Sequence, residues 1–352
     1  MIRVQFEQGK SAFSQELRHR VQAYLETRPL SPIPKLLASM IILVILTLFY
    51  LLLQKHSRAV VFMELTLLGF FLFLGGTHVL HEGTHGNLSR RPAVNRAFVM
   101  LYEWIACFSA DQYRLRHLSL HHAQPNVGQL DNDLHAKNLL RFSPAFPHSP
   151  HHRFQFIYAP FLYSLGIIQI AWIEDMKRLF TSKLAGRAHT PWQPREILKQ
   201  VSMKLAHFVV FLGIPLTLYP TSLVLLAYLY VYMIGSLGIA LIFQVTHVNT
   251  RVEFPSVDET LRIKKDWYEH QIATAINYAP ESWPVLFLTG GVNLQIEHHL
   301  FPSVSFLELP RLRLIVKQTA LEYQIPYHEC SSFSQALSEH FKFLKLLGVS
   351  AR

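Results

Sequence analysis

The chain has 352 residues, of which 50% are hydrophobic and only 16% are charged, and its formal net charge is +10. Soluble domains average about 25% charged residues, so this composition favours a membrane protein. Two cysteines are too few for a disulfide framework or a thiolate metal site, whereas twenty histidines favour imidazole as a metal ligand. The basic residues form no long tract, so the charge indicates loops facing anionic lipid and argues against nucleic-acid binding.

Residues 1–32 are polar, mixed in charge and without the pattern of a cleavable signal peptide. Phe13, Leu17, Val21 and Tyr24 recur at helical spacing and predict an amphipathic helix. We expect this helix to lie on the membrane or on the domain, which we favour over a lid above a binding site.

Four apolar stretches predict transmembrane helices, since a crossing needs about 20 residues. They cover residues 36–53, 60–80, 205–218 and 223–243. Arginines and a lysine flank the first stretch on its N-terminal side, so the positive-inside rule predicts that the N-terminus is cytoplasmic. Four crossings then also place the C-terminus and the end of the second helix in the cytoplasm.

Two further apolar stretches are expected to lie at the membrane interface. Residues 92–108 are interrupted by Asn95, Arg96 and Glu103, and residues 154–173 contain Pro160 and precede a basic loop that belongs inside. The sequence therefore predicts an all-α, multi-pass membrane protein with one domain over residues 1–352. Residues 81–204 and 244–352 would form a cytosolic, histidine-rich cap, and we find no internal repeat.

Three segments place histidines at spacings typical of a metal site. His81 and His85 are four residues apart and share a helix face, as do His117 and His121. His122 adds a neighbouring imidazole, and the third segment contributes an adjacent pair. The eight candidate ligands, enough for two metals, are His81, His85, His117, His121, His122, His247, His298 and His299.

Several neighbouring side chains are candidates for a supporting role, because metal-bound imidazoles usually need a partner on their second nitrogen. Gln295 lies one turn before the last pair and is a candidate ligand, directly or through water. Asp131 and Asp133 either orient an imidazole or cap a loop. The candidates for orienting a ligand are Glu82, Asp131, Asp133 and Glu297.

Each histidine pattern also has a simpler interpretation. His81-Glu82-Gly83-Thr84-His85 matches the HExxH spacing of zinc proteases, but it caps a membrane helix within a set of eight histidines, so we favour a redox site. The segment 148–152 has a similar pattern, but its prolines predict a solvated loop, so we leave it out. His78 is a weaker candidate, and His135, His189, His207 and His270 are expected to be structural.

The segment 81–85, the segment 117–122 and the stretch 290–302, which contains Gln295-Ile296-Glu297-His298-His299, resemble the three histidine boxes of membrane fatty acid desaturases. The glutamine in the third box is similar to the front-end (delta-5/delta-6 type) branch, as are residues 244–247 and 309–327. The His-Glu start of the first box departs from the His-Asp common in that branch and weakens the assignment to a subfamily.

The resemblance implies a four-helix membrane fold with a cytosolic cap that holds two irons and a hydrophobic tunnel. It implies that all eight histidines are iron ligands, and that O2 and two electrons serve to desaturate an acyl chain. No haem motif of a fused cytochrome b5 domain occurs, so we expect a separate donor, either ferredoxin or free cytochrome b5. The acyl carrier, whether lipid, CoA or acyl carrier protein, stays open.

Two alternatives to desaturation stay open at this point. Hydroxylation or acetylenation would use the same iron site, and the sequence does not distinguish them. A metal-binding or transport protein that is not an enzyme would instead predict ionisable residues along the crossings, which hold only Glu64, His78 and His207.

Overall fold

The computed structural model describes residues 4–6, 11–128, 130–136, 138–181, 183–184, 187–188, 191–257 and 259–349. The chain folds into two compact units, each built from segments that are distant in sequence. The terminal unit comprises Met1–Ser31, Arg114–Ala159 and Leu241–Arg352, and the span unit comprises Pro32–Tyr113 and Pro160–Ala240.

Within the described residues, four helices are long and apolar enough to cross a membrane, as predicted. They cover Ile33–Leu52, Arg58–His85, Pro194–Leu218 and Thr221–His247. Ser57 begins the second of them, because its hydroxyl accepts a hydrogen bond from the Val60 backbone N–H. The third ends at Leu218, because Pro220 disfavours helical geometry at Tyr219, which is extended.

Two of these helices extend well beyond the predicted bounds. The third begins at Pro194, eleven residues before the predicted start at 205, because Pro194 suits the first helical turn and Glu196 accepts a hydrogen bond from the Gln193 N–H at 2.7 Å. Three of the basic residues that predicted a loop before residue 205 belong to that helix, namely Arg195, Lys199 and Lys204. Lys204 is buried, and its ammonium donates to the carbonyl oxygens of Cys107 at 2.8 Å and Ala171 at 2.6 Å.

The second crossing continues past the predicted end at residue 80. The α-helix Arg58–Gly75 passes into a π-helical segment, Gly76–His81, and then into a last α-helical turn, Glu82–His85. Gly86 ends this helix with a left-handed conformation at φ 84°. The first histidine segment is therefore part of the helix itself.

The two stretches predicted as interfacial are also helical. One is the helix Pro92–Ala106. The other is a pair, Pro150–Ser164 and Gly166–Phe180, bent by 60° and apolar enough to count as a fifth span only if both halves are joined. Ser236 holds the bend, since its hydroxyl donates to the Tyr163 carbonyl oxygen at 2.6 Å and accepts from the Ile167 N–H at 3.0 Å. The interfacial assignment of this pair stays a prediction.

The remaining regular structure consists of short helices and two-stranded ladders. Gln5–Phe6 pairs in parallel with Arg262–Ile263, and Asn277–Tyr278 with Glu329–Cys330, whereas Lys183–Leu184 and Arg187–Ala188 are antiparallel. The helical segments not yet given are Ala12–Leu25, Ala110–Arg114, Leu115–His121, Asn132–Leu134, Trp267–Ala273, Trp283–Thr289, Gln295–Leu300, Leu309–Glu322 and Phe333–Val349.

The predicted N-terminal helix is confirmed as Ala12–Leu25, and it buries Phe13, Leu17 and Val21. It packs against Leu309–Glu322 within the terminal unit. Arg20 forms an ion pair with Glu322 at 2.7 Å, which joins the two helices. The helix therefore lies on the terminal unit, as one of the two favoured interpretations predicts.

Candidate metal centre

The first histidine segment is held within the span unit by close helix packing. His81 and Glu82 are buried, and the His81 and His85 ring centroids lie 4.8 Å apart. Gly83 is required here, since a Cβ would come within 2.7 Å of the Val99 Cγ2 atom. The Glu82 carboxylate accepts a hydrogen bond from the Asn87 amide at 3.3 Å and lies 4.0 Å from His81 Nδ1. π-Helical insertions such as Gly76–His81 often mark functional sites.

The second segment lies in another π-helical stretch, Leu115–His121. Its geometry aligns residues five apart, and the His122 N–H donates to the His117 carbonyl oxygen at 2.9 Å. The two Nε2 atoms of these histidines lie 3.1 Å apart as a result. The spacing of an α-helix predicts that His117 pairs with His121 instead. The ring centroids of that pair are 5.9 Å apart, compared with 4.4 Å for His117 and His122.

The third segment forms the short helix Gln295–Leu300, in which every side chain is buried. Asn277 holds it in place, because its side-chain oxygen accepts from the Ile296 N–H at 3.1 Å and its side-chain nitrogen donates to Glu297 at 2.8 Å. The Tyr327 hydroxyl donates to the other Glu297 oxygen at 2.8 Å. Burial raises the pKa of Glu297 to about 7, although both hydrogen bonds lower it.

The second and third segments meet within the terminal unit, as predicted. The His298 Nε2 atom lies 3.2 Å from the His122 Nε2 atom, which itself lies 3.1 Å from that of His117. We call these three residues the shared-nitrogen cluster. Three ring nitrogens at this separation need a shared proton or a shared cation, because two unprotonated lone pairs at hydrogen-bond distance repel each other.

A second group in the same unit, the three-imidazole site, comprises His121, His247 and His299. One ligand atom from each lies within 4.8 Å of the others. His121 and His299 are each 1% exposed or less and have no hydrogen-bond partner at Nε2 within the described residues. A buried nitrogen without a partner is costly, and a metal ion would satisfy it.

Every imidazole of the three-imidazole site is held through its other nitrogen. Nδ1 of His121 lies 3.1 Å from both Asp131 carboxylate oxygens, Nδ1 of His247 lies 2.9 Å from the Thr274 carbonyl oxygen, and Nδ1 of His299 lies 2.9 Å from Gln271 Oε1. An acceptor at Nδ1 fixes the proton there and leaves the Nε2 lone pair for a metal. The residues present therefore fit a metal with imidazole ligands.

The charges around this site act in opposite directions on its histidines. Burial lowers the pKa of His121, but the Asp131 and Asp133 carboxylates outweigh it and raise that pKa to about 9. Burial also holds the pKa of His299 well below its usual value, and the neighbouring imidazoles lower it further. His299 is therefore neutral at physiological pH, which is the form in which an imidazole can bind a metal.

Asp131 serves both roles that the sequence left open. Its buried carboxylate contacts His121 and also accepts hydrogen bonds from the backbone N–H groups of Asn126 and Asp133, each at 2.9 Å. The second of these bonds caps the turn Asn132–Leu134. Asp133 is a weaker partner, since its side chain is 43% exposed and lies 3.6 Å from His121 Nδ1.

Gln295 and Gln271 complete the immediate surroundings. The Gln295 amide nitrogen lies 2.9 Å from His247 Nε2, so this side chain contacts the three-imidazole site, and its role as a ligand stays a prediction. Gln271 was missed in the sequence, although its amide also donates to the His122 carbonyl oxygen at 3.0 Å and so contacts both histidine groups. A lone glutamine outside any histidine segment carries no spacing signal.

Two of the histidines left out of the predicted ligand set contact a backbone carbonyl oxygen instead. His151 and His152 both contact the Asn138 carbonyl oxygen through Nε2, at 2.8 and 3.0 Å. The expected solvated loop is wrong for His152, which is 1% exposed in the 3-10 turn Pro150–Phe154. His207 and His270 are buried as expected for structural residues, and His189 lies outside the described residues.

Comparison with known proteins gives one family. The family model described as Fatty acid desaturase matches residues 56–331. An sn-1 linoleoyl-lipid 6-desaturase of Arthrospira platensis is 28% identical over 97% of this chain and 94% of its own length. Its Synechocystis counterpart is 30% identical over 78% of this chain and 77% of its own length. An acyl-lipid (8-3)-desaturase of Physcomitrium patens is 29% identical over 80% of this chain, which spans only 59% of that relative.

Proposed function

Because the chain belongs to the fatty acid desaturase family, we propose that it is a membrane di-iron acyl desaturase that uses O2 and two electrons. The observation that carries this proposal is the three-imidazole site, where Nδ1 of each histidine has an acceptor and two buried Nε2 atoms have no partner within the described residues. Imidazole ligands suit both zinc and iron, but zinc has no redox chemistry. We therefore favour iron for a reaction that reduces O2.

The proposed ligands come from all three histidine segments and from the end of the helix Thr221–His247. We therefore propose that residues 1–352 work as one desaturase domain. Gln295 is a further ligand, directly or through water, and Glu82, Asp131, Asp133 and Glu297 orient the imidazoles or their helices. The proposed iron ligands are His81, His85, His117, His121, His122, His247, His298 and His299.

The proposed reaction breaks one C–H bond on each of two adjacent methylenes and forms a carbon–carbon double bond. O2 takes up four electrons, two from the substrate and two from the donor. It also takes up four protons, two from the substrate and two from solvent, and leaves as two water molecules. Bound iron would supply this redox chemistry. The role of the chain is to hold the imidazoles in one tautomer through Asp131, Thr274 and Gln271 and to exclude bulk water by burial.

We propose that the substrate acyl chain is lipid-linked, since the relatives named above are acyl-lipid desaturases. CoA-linked and carrier-protein-linked chains are the alternatives. We also propose that the active site and both termini are cytoplasmic, and that a separate ferredoxin or cytochrome b5 supplies the electrons. Reporter fusions at either terminus test the orientation.

The direct test is expression in a host, with the acyl chains of each lipid class and of the CoA pool measured by mass spectrometry. A new product that lacks two hydrogens, found first in glycerolipids, supports the proposal. Gain of one oxygen atom would indicate hydroxylation. Acetylenation also removes two hydrogens, from an existing double bond, so a triple bond located by fragmentation of the product would indicate it.

Metal analysis of the purified protein distinguishes the enzyme from a metal-binding or transport protein. The enzyme should hold about two irons per chain, as eight imidazoles allow. Bound zinc without oxygen consumption would contradict it.

A further inference from the structure

The span unit contains a cavity of about 670 Å³ that the proposed chemistry does not use. This volume lies within the range of small-molecule sites, which are mostly apolar with a few polar groups. The walls are almost entirely aliphatic and aromatic side chains, contributed by Ile33–Leu52, Arg58–Gly75, Pro194–Leu218 and Thr221–His247.

The cavity occupies the part of the second crossing that is remote from its histidines. On that helix the lining residues run from Arg58 to Leu72. His81 follows Leu72 by nine residues, which corresponds to about 14 Å of helix. The cavity is therefore separate from the first histidine segment.

The sides of the cavity are open where a bilayer would surround the helices. Phe62 and Leu223 line it, and yet they are 61% and 52% exposed. Both belong to helices apolar enough to cross a membrane. A lipid acyl chain can therefore enter sideways without passing through water.

The His207 imidazole deep in the cavity is already paired, whereas the buried Tyr232 hydroxyl in the same lining has no hydrogen-bond partner within the described residues. Nδ1 of His207 lies 2.8 Å from the Trp104 carbonyl oxygen, and its Nε2 lies 2.9 Å from the Tyr228 hydroxyl. Neither ring nitrogen of His207 is left for a polar ligand, and apart from the hydroxyls of Tyr228 and Tyr232 the lining side chains around it are apolar, so this end suits a hydrocarbon tail.

The other end of the cavity, at the start of the second crossing, carries a cation. His56 is paired with the buried Glu64 carboxylate at 2.9 Å, and the Tyr219 hydroxyl donates to the carbonyl oxygens of Leu52 and Gln54. Arg58 is exposed, and no described carboxylate pairs with it. Its guanidinium is available to pair with the phosphate of an anionic head group through charge-assisted hydrogen bonds.

We propose that this cavity binds the acyl chain of an anionic bilayer lipid, with the head group at Arg58, as a site distinct from the histidine centre. The arrangement combines an apolar interior, a lateral opening and one cation at the end of the cavity. The proposal does not depend on the desaturase activity.

The test uses the full chain in nanodiscs, with phosphatidylglycerol or phosphatidylcholine carrying a photoreactive diazirine in the acyl chain. We expect the phosphatidylglycerol probe to label the lining peptides, and excess unlabelled phosphatidylglycerol to suppress that labelling. Ala227→Trp fills the cavity and should lower labelling about tenfold. Leu226→Trp is the matched control, since Leu226 is 64% exposed and lies outside the cavity lining.

Arg58→Gln should lower the preference for phosphatidylglycerol over phosphatidylcholine about fivefold and leave the tail bound. Labelling of the wild-type protein that excess lipid does not suppress would overturn the proposal, as would equal labelling of Ala227→Trp and Leu226→Trp. Equal labelling by both probes would overturn the assignment of an anionic head group. The wild-type competition decides the question even if a variant fails to fold.

Discussion

Two histidine-rich segments of the terminal unit look alike in sequence and differ in what their ring nitrogens contact. Each places one histidine shortly before an adjacent pair, at His117, His121 and His122 and at residues 148, 151 and 152. In the first segment His121 Nε2 has no partner within the described residues, and the other two Nε2 atoms face each other. In the second, all three Nε2 atoms contact backbone carbonyl oxygens. Between these two segments, the partner of Nε2 distinguishes the candidate ligands from the other histidines, whereas the spacing does not.

The largest effect is expected from removing an imidazole of the three-imidazole site. His121→Ala or His299→Ala should abolish the desaturated product and lower bound iron, because each removes a buried nitrogen available to the metal. His151→Ala is the matched control and should retain both. Product and iron are measured on the same membrane preparations, and full activity in His121→Ala would remove His121 from the ligand set.

A change at Asp131 should have the next largest effect. Asp131→Asn weakens the acceptor that fixes the His121 tautomer, and loss of such a partner costs about 10–100-fold in metal affinity or activity. Asp133→Asn should change iron retention less, since that side chain is farther from His121 and more exposed. Iron retention is followed by titration with a chelator, and equal losses in both variants would argue against the orienting role.

A smaller loss is expected at Gln271. Gln271→Leu removes the acceptor of His299 Nδ1 and the donor to the His122 carbonyl oxygen, and should lower activity about tenfold. Gln271→Glu keeps the acceptor and should recover most of the bound iron. Equal loss of iron in both variants would show that the Gln271 contact with His299 Nδ1 does not determine iron retention.

The smallest effect is expected from a change in the segment 148–152. His148→Ala should leave iron and product unchanged and lower the free energy of unfolding by about 1 kcal/mol, the value of one hydrogen bond, here to the Gly348 carbonyl oxygen. Thermal unfolding in detergent measures this change. Loss of iron in His148→Ala would reverse the comparison between the two segments.

The sequence predicted the parts of the molecule that depend on composition over many residues. Four crossings follow from apolar length, and the N-terminal helix follows from Phe13, Leu17 and Val21. The third crossing was predicted too short, because its first turns are basic and Lys204 is stabilised by buried carbonyl oxygens that only the fold provides. Hydrophobicity alone does not reveal such compensation.

For the candidate site, the sequence identified histidines but not the side chains that orient them. Asp131 lies close to the second segment and was found, whereas Gln271 is brought to His299 by a helix 28 residues earlier in the chain. The pairing of His117 with His122 was missed because it requires a π-helical turn. Spacing rules assume a regular α-helix, and they fail where the helix departs from it.

The π-helical turn at Leu115–His121 also has a consequence for how sequence change can damage the protein. One residue advances an α-helix by about 100°, so deleting a single residue there would restore regular winding and rotate one imidazole of the His117–His122 pair away from the other. Point substitutions along this stretch would not change the angle between the positions of His117 and His122 around the helix. The number of residues in this turn therefore matters to the site as much as their identity. A scan of single-residue deletions would detect this dependence, whereas an alanine scan would not.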